Sequence, residues 1–427
     1  MLFLNWFTSR SVRHAWQAAN HVEKILHHQR DLLAPQSIEA LQAGIHDLRG
    51  VCRTGDRDGV RVALGKLETI ANENLKPYPH AAWRENIEVA LVAIAVAMAI
   101  RTFVLQPFKI PTGSMQPTLY GITDENFLGQ PGVKFPGGVA AFFEYWFNGV
   151  SYQHLVAKTG GALGGAKEPV KLVLFNLWQD IKVGGTSYKI WFPPDGLLKR
   201  AGLIDPCDQP SQRVFQPGEE IIKLRSISGD HLFVDRMTYN FRRPARGDVV
   251  VFETHGVTAL PRDQQDTYYI KRLVGLGGEK LQLKRDALVS RVPAGHAHFD
   301  KCSPRVEDMP AGHLVVDGRE ITAATPHFEN LYSFSDLPRA AKTMSYRTNH
   351  YHGHGMLAQL SDGSSYDVKK DHYFVMGDNT YSSFDSRMWG AFEQQKVIGK
   401  SFFVYWPIGG TTFNNEERPS RFGWAHR

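Results

Sequence analysis

Apolar positions at the start of the chain recur with helical spacing. Val12, Trp16, Ala19, Val22, Leu26 and Leu33 make one stripe, Ile38, Leu41, Ile45 and Leu48 a second, and Val60, Leu64, Leu67 and Ile70 a third. Steps of this kind keep one face of a helix apolar. Pro35, Gly50 and the Thr54-Gly55-Asp56 turn separate the stripes, since proline, glycine and turn residues punctuate helices. Residues 1–76 are therefore expected to form a small α-helical hairpin domain. A linker over 77–86, opening with Pro77-Tyr78-Pro79, leads into the one strongly apolar run, placed at 87–106. Its uninterrupted part, Val89 to Ile100, covers only about 18 Å as a helix, a length more typical of a buried helix than of a span. Extension to Phe108 gives roughly 33 Å, with Glu88 at one boundary and Arg101 able to snorkel toward the other, so crossing stays open.

From Gly247 onward the pattern becomes short β-type runs broken by Gly, Pro and Asp, as an antiparallel β-rich domain reads. Val170 to Leu177 and Ser187 to Phe192 also read as strands, and Leu314-Val315-Val316-Asp317-Gly318 points to a hairpin. Phe142-Phe143-Glu144-Tyr145-Trp146-Phe147 is an aromatic patch that suits a lipid interface and a buried core equally well.

Composition narrows the function classes. The chain has 427 residues, too many for one ordinary domain, and 42% hydrophobic with 22% charged residues is globular. The net charge of +6 suits an anionic membrane surface, but the basic residues are scattered and form no aromatic-interleaved groove, so no nucleic-acid partner is expected. Three cysteines, Cys52, Cys207 and Cys302, imply neither a disulfide framework nor a CxxC metal site, and a Cys207–Cys302 pairing is left open. MLFLNWFTSR is too short and aromatic to supply a cleavable signal peptide's core. The glycine run Thr159 to Lys167 lacks the Lys-Ser/Thr ending of a phosphate-binding loop. His350, His352 and His354 would share a strand face, but no carboxylate or cysteine completes a site, so no metal is assigned.

Three stretches carry candidate chemistry. In Phe108 to Leu119, FKIPTGSMQPTL, Pro111, Gly113 and Pro117 keep the chain out of helix and central strand and present Ser114 on a constrained loop. In Tyr268 to Gly275, alternation puts Tyr269, Lys271 and Leu273 on one face and Arg272 on the other. A lysine on an aromatic and aliphatic face is liable to desolvation, which lowers its pKa and makes it a base. Gly377 to Gly390 is dense in short polar side chains, with an Asp385/Arg387 pair able to lock a loop.

In this order, joined by Gly247-Asp248-Val249-Val250-Val251-Phe252 and closed by Ile398 to Pro407, these blocks resemble bacterial type I signal peptidase, a membrane-anchored Ser/Lys-dyad serine protease. The resemblance implies a mainly β fold, with an antiparallel catalytic domain over 107–427 outside the bacterial inner membrane, on its periplasmic side. It implies one transmembrane helix, and an amino-terminal domain left in the cytoplasm. The regions around 120–225 and 280–371 then read as insertions, since no block falls in them. By the same resemblance Ser114 is the nucleophile, Lys271 the general base, and Thr112, with the Ser114 N–H, the oxyanion hole. Ser383 orients the lysine, Asp385 and Arg387 fix the loop, and Phe108, Ile110, Met115, Tyr269 and Ile270 bind substrate. Thr380 and Tyr381 depart from the Arg-Asp pair common there, which puts a salt bridge at the loop tip in doubt. The implied partners are precursors bearing signal peptides, the lipid bilayer and the secretion translocon, with no cofactor. Two rival readings are an inactive membrane-bound scaffold on the same fold and a self-cleaving Ser/Lys regulatory peptidase. Intact Ser114, Lys271 and Ser383 speak against the first, and the absence of a DNA-binding module against the second.

Overall fold

The structure is a computed structural model. It describes residues 9–54, 56–76, 81–130, 132–172, 175–205, 211–293, 306–332, 343–345, 353–413 and 416–425. Cys207, Cys302, His350 and His352 lie outside the described residues.

The chain divides into two compact units, 1–95 and 96–427. In the first, helices Arg10–Gln29, Pro35–Thr54 and Arg57–Asn74 close around Val12, Ala15, Ala19, Leu26, Leu41, Ile45, Leu48, Cys52, Val60 and Leu67. The predicted stripes are the faces that meet, but three helices form the unit where a hairpin was expected. Gly50 does not end the second helix, which continues to Thr54. An interior glycine costs about 1 kcal/mol of helix propensity, and burial of Leu48 and Cys52 on either side outweighs that. Asp56 caps the third helix by accepting from the Asp58 N–H.

The apolar run forms the helix Ala81–Phe103. The placement at 87–106 shifts toward the amino terminus, because Leu105–Lys109 is a strand paired with His231–Asp235. Pairing in a sheet satisfies those backbone groups and ends the helix. Trp83–Phe103, 21 residues with a mean hydropathy of 1.7 and no buried residue, is long and apolar enough to cross a membrane.

The second unit is mainly antiparallel β. An eight-stranded sheet runs in the order Leu105–Lys109, His231–Asp235, Val397–Trp406, Val249–Glu253, Tyr268–Gly275, His372–Met376, Phe392–Glu393, with Gly423–Trp424 paired to Val397–Trp406. A second sheet is built on the long hairpin Lys280–Pro293 and Val306–Val316. The predicted turn follows it, with Asp317 and Gly318 both at positive φ (48° and 79°) before Arg319–Glu320.

The region 120–225 has its own core of Ile181, Val183, Tyr188, Phe215, Ile221, Leu224 and neighbours. Its ends are tied together, since Thr123–Asn126 and Val150–Val156 both pair with Glu220–Ile227. The strand read over Val170 to Leu177 is two strands, Val170–Leu172 and Phe175–Val183, the second also pairing with Thr186–Trp191.

Candidate active site

Ser114 sits in a single helical turn, Gly113–Met115, immediately after the first strand of the large sheet. The turn is pinned from the far end of the chain. The Asn379 N–H donates to the Ser114 carbonyl (3.0 Å) and Asn379 Nδ2 to the Gly113 carbonyl (3.0 Å). Residue 377 has to be glycine for this approach, since a Cβ there would stand 2.2 Å from Ser383 Oγ and 2.5 Å from the Ser114 carbonyl oxygen.

Lys271 lies mid-strand opposite Val250 in the Val249–Glu253 strand. Its Nζ is 2.6 Å from Ser114 Oγ across 157 residues of sequence, and the two residues are only 5% and 6% exposed. Burial pushes the Lys271 pKa down to about 8, and nearby Arg387 adds to the depression, while Asp385 and Asp378 pull the other way. The Tyr269 ring centre is 5.5 Å from the amine. As an ammonium the group donates to the serine oxygen; as a neutral amine it accepts the hydroxyl proton.

Two buried ion pairs frame this contact. Arg387 forks onto Asp385 (Nε to Oδ1 2.9 Å, Nη2 to Oδ2 2.7 Å), which also accepts from Ser383 Oγ (2.7 Å) and the Gly377 N–H (2.9 Å). Burial alone would raise the Asp385 pKa, but Arg387 and these donors hold it below the ordinary carboxylate value. The Ser383 hydroxyl donates to Asp385 and keeps its lone pairs free to accept, while the hydrogen bond that the Lys271 amine makes goes to Ser114.

The loop tip holds without an Arg-Asp pair. Arg387 Nη1 donates to Thr380 Oγ1 (2.5 Å) and Nη2 to the Thr380 carbonyl (2.7 Å), while Tyr381 hydroxyl donates to the Met309 carbonyl (3.3 Å).

The second pair was missed from sequence. Arg272, on the strand face opposite Lys271, forks onto Asp378 (2.8 and 2.6 Å) and donates to the Gly247 carbonyl and Thr118 hydroxyl. Asp378 is fully buried and accepts from Thr118 as well. The one available signal was Gly377-Asp378-Asn379 itself, where a carboxylate stands beside the residue that pins the serine turn.

Of the expected substrate contacts, Ile110 and Met115 are buried in one apolar cluster with Leu119, Leu232 and Val251, and half-buried Phe108 and Ile270 pack on it. Tyr269 packs in a different cluster, beside Phe252, with its hydroxyl on Gln264. Thr112 is exposed next to the serine turn.

The signal peptidase family, peptidase S26, matches this chain over residues 83–126 and 225–406, more than half of its length. The chain belongs to that family. Both halves of the Ser114/Lys271 contact fall in the matched residues, and residues 127–224 lie between the two matched segments. A signal peptidase I of Leptolyngbya laminosa is 23% identical over 195 residues, covering 45% of this chain and 68% of that protein. One from Rickettsia conorii is 27% identical over 241 residues, covering 52% and 78%. A crystal structure of a signal peptidase I from Enterococcus faecalis, 23% identical, aligns with 37% of this chain and 97% of its own at a TM-score of 0.22.

Proposed function

We propose that this chain is a membrane-anchored serine endopeptidase that removes signal peptides from exported precursors, with Ser114 as nucleophile and Lys271 as general base. The observation that carries the reading is the buried 2.6 Å contact between Lys271 Nζ and Ser114 Oγ, with the amine pKa pushed down to about 8. A lysine at its ordinary value would be less than about 1% neutral at pH 8, whereas this one is about half neutral there.

The neutral amine takes the hydroxyl proton as Ser114 Oγ attacks the scissile carbonyl. The Ser114 N–H and Thr112 hydroxyl receive the oxyanion. Collapse of the tetrahedral species breaks the C–N bond, and Lys271 returns the proton to the leaving amine. The neutral amine then takes a proton from water as it attacks the acyl-serine, and returns it to the Ser114 oxygen as the acyl C–O bond breaks, freeing an acid product that ionises to the carboxylate. The chemistry is internally balanced in protons and uses no cofactor. Asp385–Arg387 and Asp378–Arg272 position the two loops, and half-buried Phe108 and Ile270, packed on the buried Ile110 and Met115, are the side chains left to receive small apolar groups of the substrate.

The helix Trp83–Phe103 is read as the single membrane span, about 31 Å long at the usual helical rise, with the helical unit before it in the cytoplasm and the β unit outside. Lys76 and Arg84 precede the span while Arg101 and Lys109 follow, so the orientation rests on family likeness rather than on charge. The direct test is cleavage of a secretory precursor by the detergent-solubilised chain beside Ser114→Ala. The expected result is cleavage lost in the variant with folding retained; cleavage by Ser114→Ala would overturn the assignment.

A further inference from the structure

The helix Gly138–Asn148 belongs to the segment that the family match leaves out. None of its residues is buried, although its sequence is almost wholly apolar. Val139, Phe142, Phe143, Trp146 and Phe147 are 72, 58, 53, 52 and 51% exposed, and neighbouring Ile408, whose N–H donates to the Phe147 carbonyl, is 47% exposed. Together they expose roughly 600 Å² of apolar surface, at the upper end of the largest patch a soluble monomer carries. The single charged side chain, Glu144, accepts from the Tyr152 hydroxyl (3.0 Å).

The helix is not loosely held. Trp406 Nε1 donates to the Trp146 carbonyl (2.7 Å), Tyr145 packs on Trp406 with ring centres 5.6 Å apart, and the left-handed Gly149 that ends the helix sits against Pro407. Beside it lies a cavity of about 540 Å³ including its open mouth, lined by polar groups such as Lys109, Ser151 and Asn176 and by apolar ones such as Ile122, Phe192 and Pro193. Two more of its lining groups, His231 Nε2 and Ser226 Oγ, are buried without a protein partner. The helix thus turns its large apolar side chains outward, the reverse of a helix made for water.

Position selects the occupant. His231–Asp235 pairs with the edge strand Leu105–Lys109 that continues from the apolar Trp83–Phe103 helix. At the Asp235 end, the Arg236 N–H donates to the Val104 carbonyl, one residue past that helix, and nearby Met237 and Phe241 are 41% and 83% exposed. At the His231 end stands Trp406, on which the aromatic helix packs. Exposed apolar side chains therefore flank both ends of one short strand, about 15 Å long, whose Asp235 end lies beside the end of the apolar helix.

We propose that the Gly138–Asn148 helix lies in the plane of the lipid–water boundary of the membrane that Trp83–Phe103 crosses, seating the edge of the catalytic sheet flat on the bilayer. Aromatic side chains favour that boundary, and an 11-residue helix, about 16 Å long, can lie in it but cannot span it. The inference rests on the membrane-anchored reading above.

The test uses the full chain in lipid vesicles, with Cys52, Cys207 and Cys302 replaced by alanine, precursor cleavage retained as the folding check, and Phe143→Cys carrying a polarity-sensitive fluorophore. Phe142→Cys serves if the first variant does not fold, and Asp362→Cys on an exposed loop is the control. Lipids brominated near the glycerol should lower the emission at 143 by about twofold or more and leave the control unchanged. Emission typical of water, unquenched, in a chain that resists alkaline extraction overturns the inference while the anchor stands. Release of the chain by alkali overturns the anchor itself. A blue-shifted but unquenched probe would place a second copy or a precursor segment on this face and likewise overturn it.

Discussion

Replacing Lys271 by methionine separates what the buried amine does for catalysis from what it does to stability. Lowering its pKa from 10.5 to about 8 means that the folded state disfavours the charged form by about 3 kcal/mol, at roughly 1.36 kcal/mol per unit. The unfolded chain binds the proton more tightly, so below about pH 8 this cost is carried in full. Stability rises as pH climbs from about 8 to 10.5, where the unfolded chain also releases its proton. Methionine fills a similar volume without charge and loses one hydrogen bond, worth about 1 kcal/mol, to Ser114. Lys271→Met should therefore be inactive yet more stable than the parent by about 2 kcal/mol at pH 7, and that margin should vanish by about pH 10.5. Unfolding in detergent by denaturant, followed by tryptophan fluorescence at pH 7, 8.5 and 10, measures the margin. The parent's kcat/KM against a peptide substrate should rise with pH along a limb centred near 8. A flat profile from about pH 6 to 9, or a methionine variant less stable than the parent at every pH, would refute the desolvated-base argument.

Gly377→Ala should cut kcat by about a hundredfold or more while the chain still folds, because the new methyl group meets Ser383 Oγ at 2.2 Å and the Ser114 carbonyl oxygen at 2.5 Å and must displace the serine turn; single-turnover cleavage rates decide it. Arg387→Met leaves Asp385 charged and fully buried, so it should lose about 3–5 kcal/mol of stability, read from denaturant midpoints, with a smaller loss if the pH is lowered enough to protonate the carboxyl. Arg272→Lys keeps a charge on Asp378 but breaks the two-pronged contact, and is expected to cost about 1–3 kcal/mol of stability while the pH limb set by Lys271 stays in place. A pH–rate profile whose limb moves with Arg272→Lys would show that this guanidinium takes part in tuning the base.

Local chemistry was legible along the chain. The three apolar stripes became the buried faces of three helices, Pro111, Gly113 and Pro117 kept Ser114 on a turn, and Asp317-Gly318 made its hairpin. Each depends on neighbours a few residues apart, where spacing and backbone preference act directly. Arrangements made across long separations were not legible from pattern alone. Periodicity places Lys271 on an apolar face, but only the sheet carries it to Ser114, and only the Asn379 loop turns the serine toward it. Arg272 alternates away from Lys271 as the pattern says, yet its burial against Asp378 depends on a loop about a hundred residues later. Gly50 stays helical and the apolar helix stops at Phe103 because packing and strand pairing outweigh weaker local preferences. The sequence by itself determined which faces are apolar and which turns are sharp. Whether an apolar face is covered is decided by contacts between distant segments, and only the tertiary structure contains those: it leaves the aromatic helix at 138–148, whose sequence suited core and membrane equally, exposed.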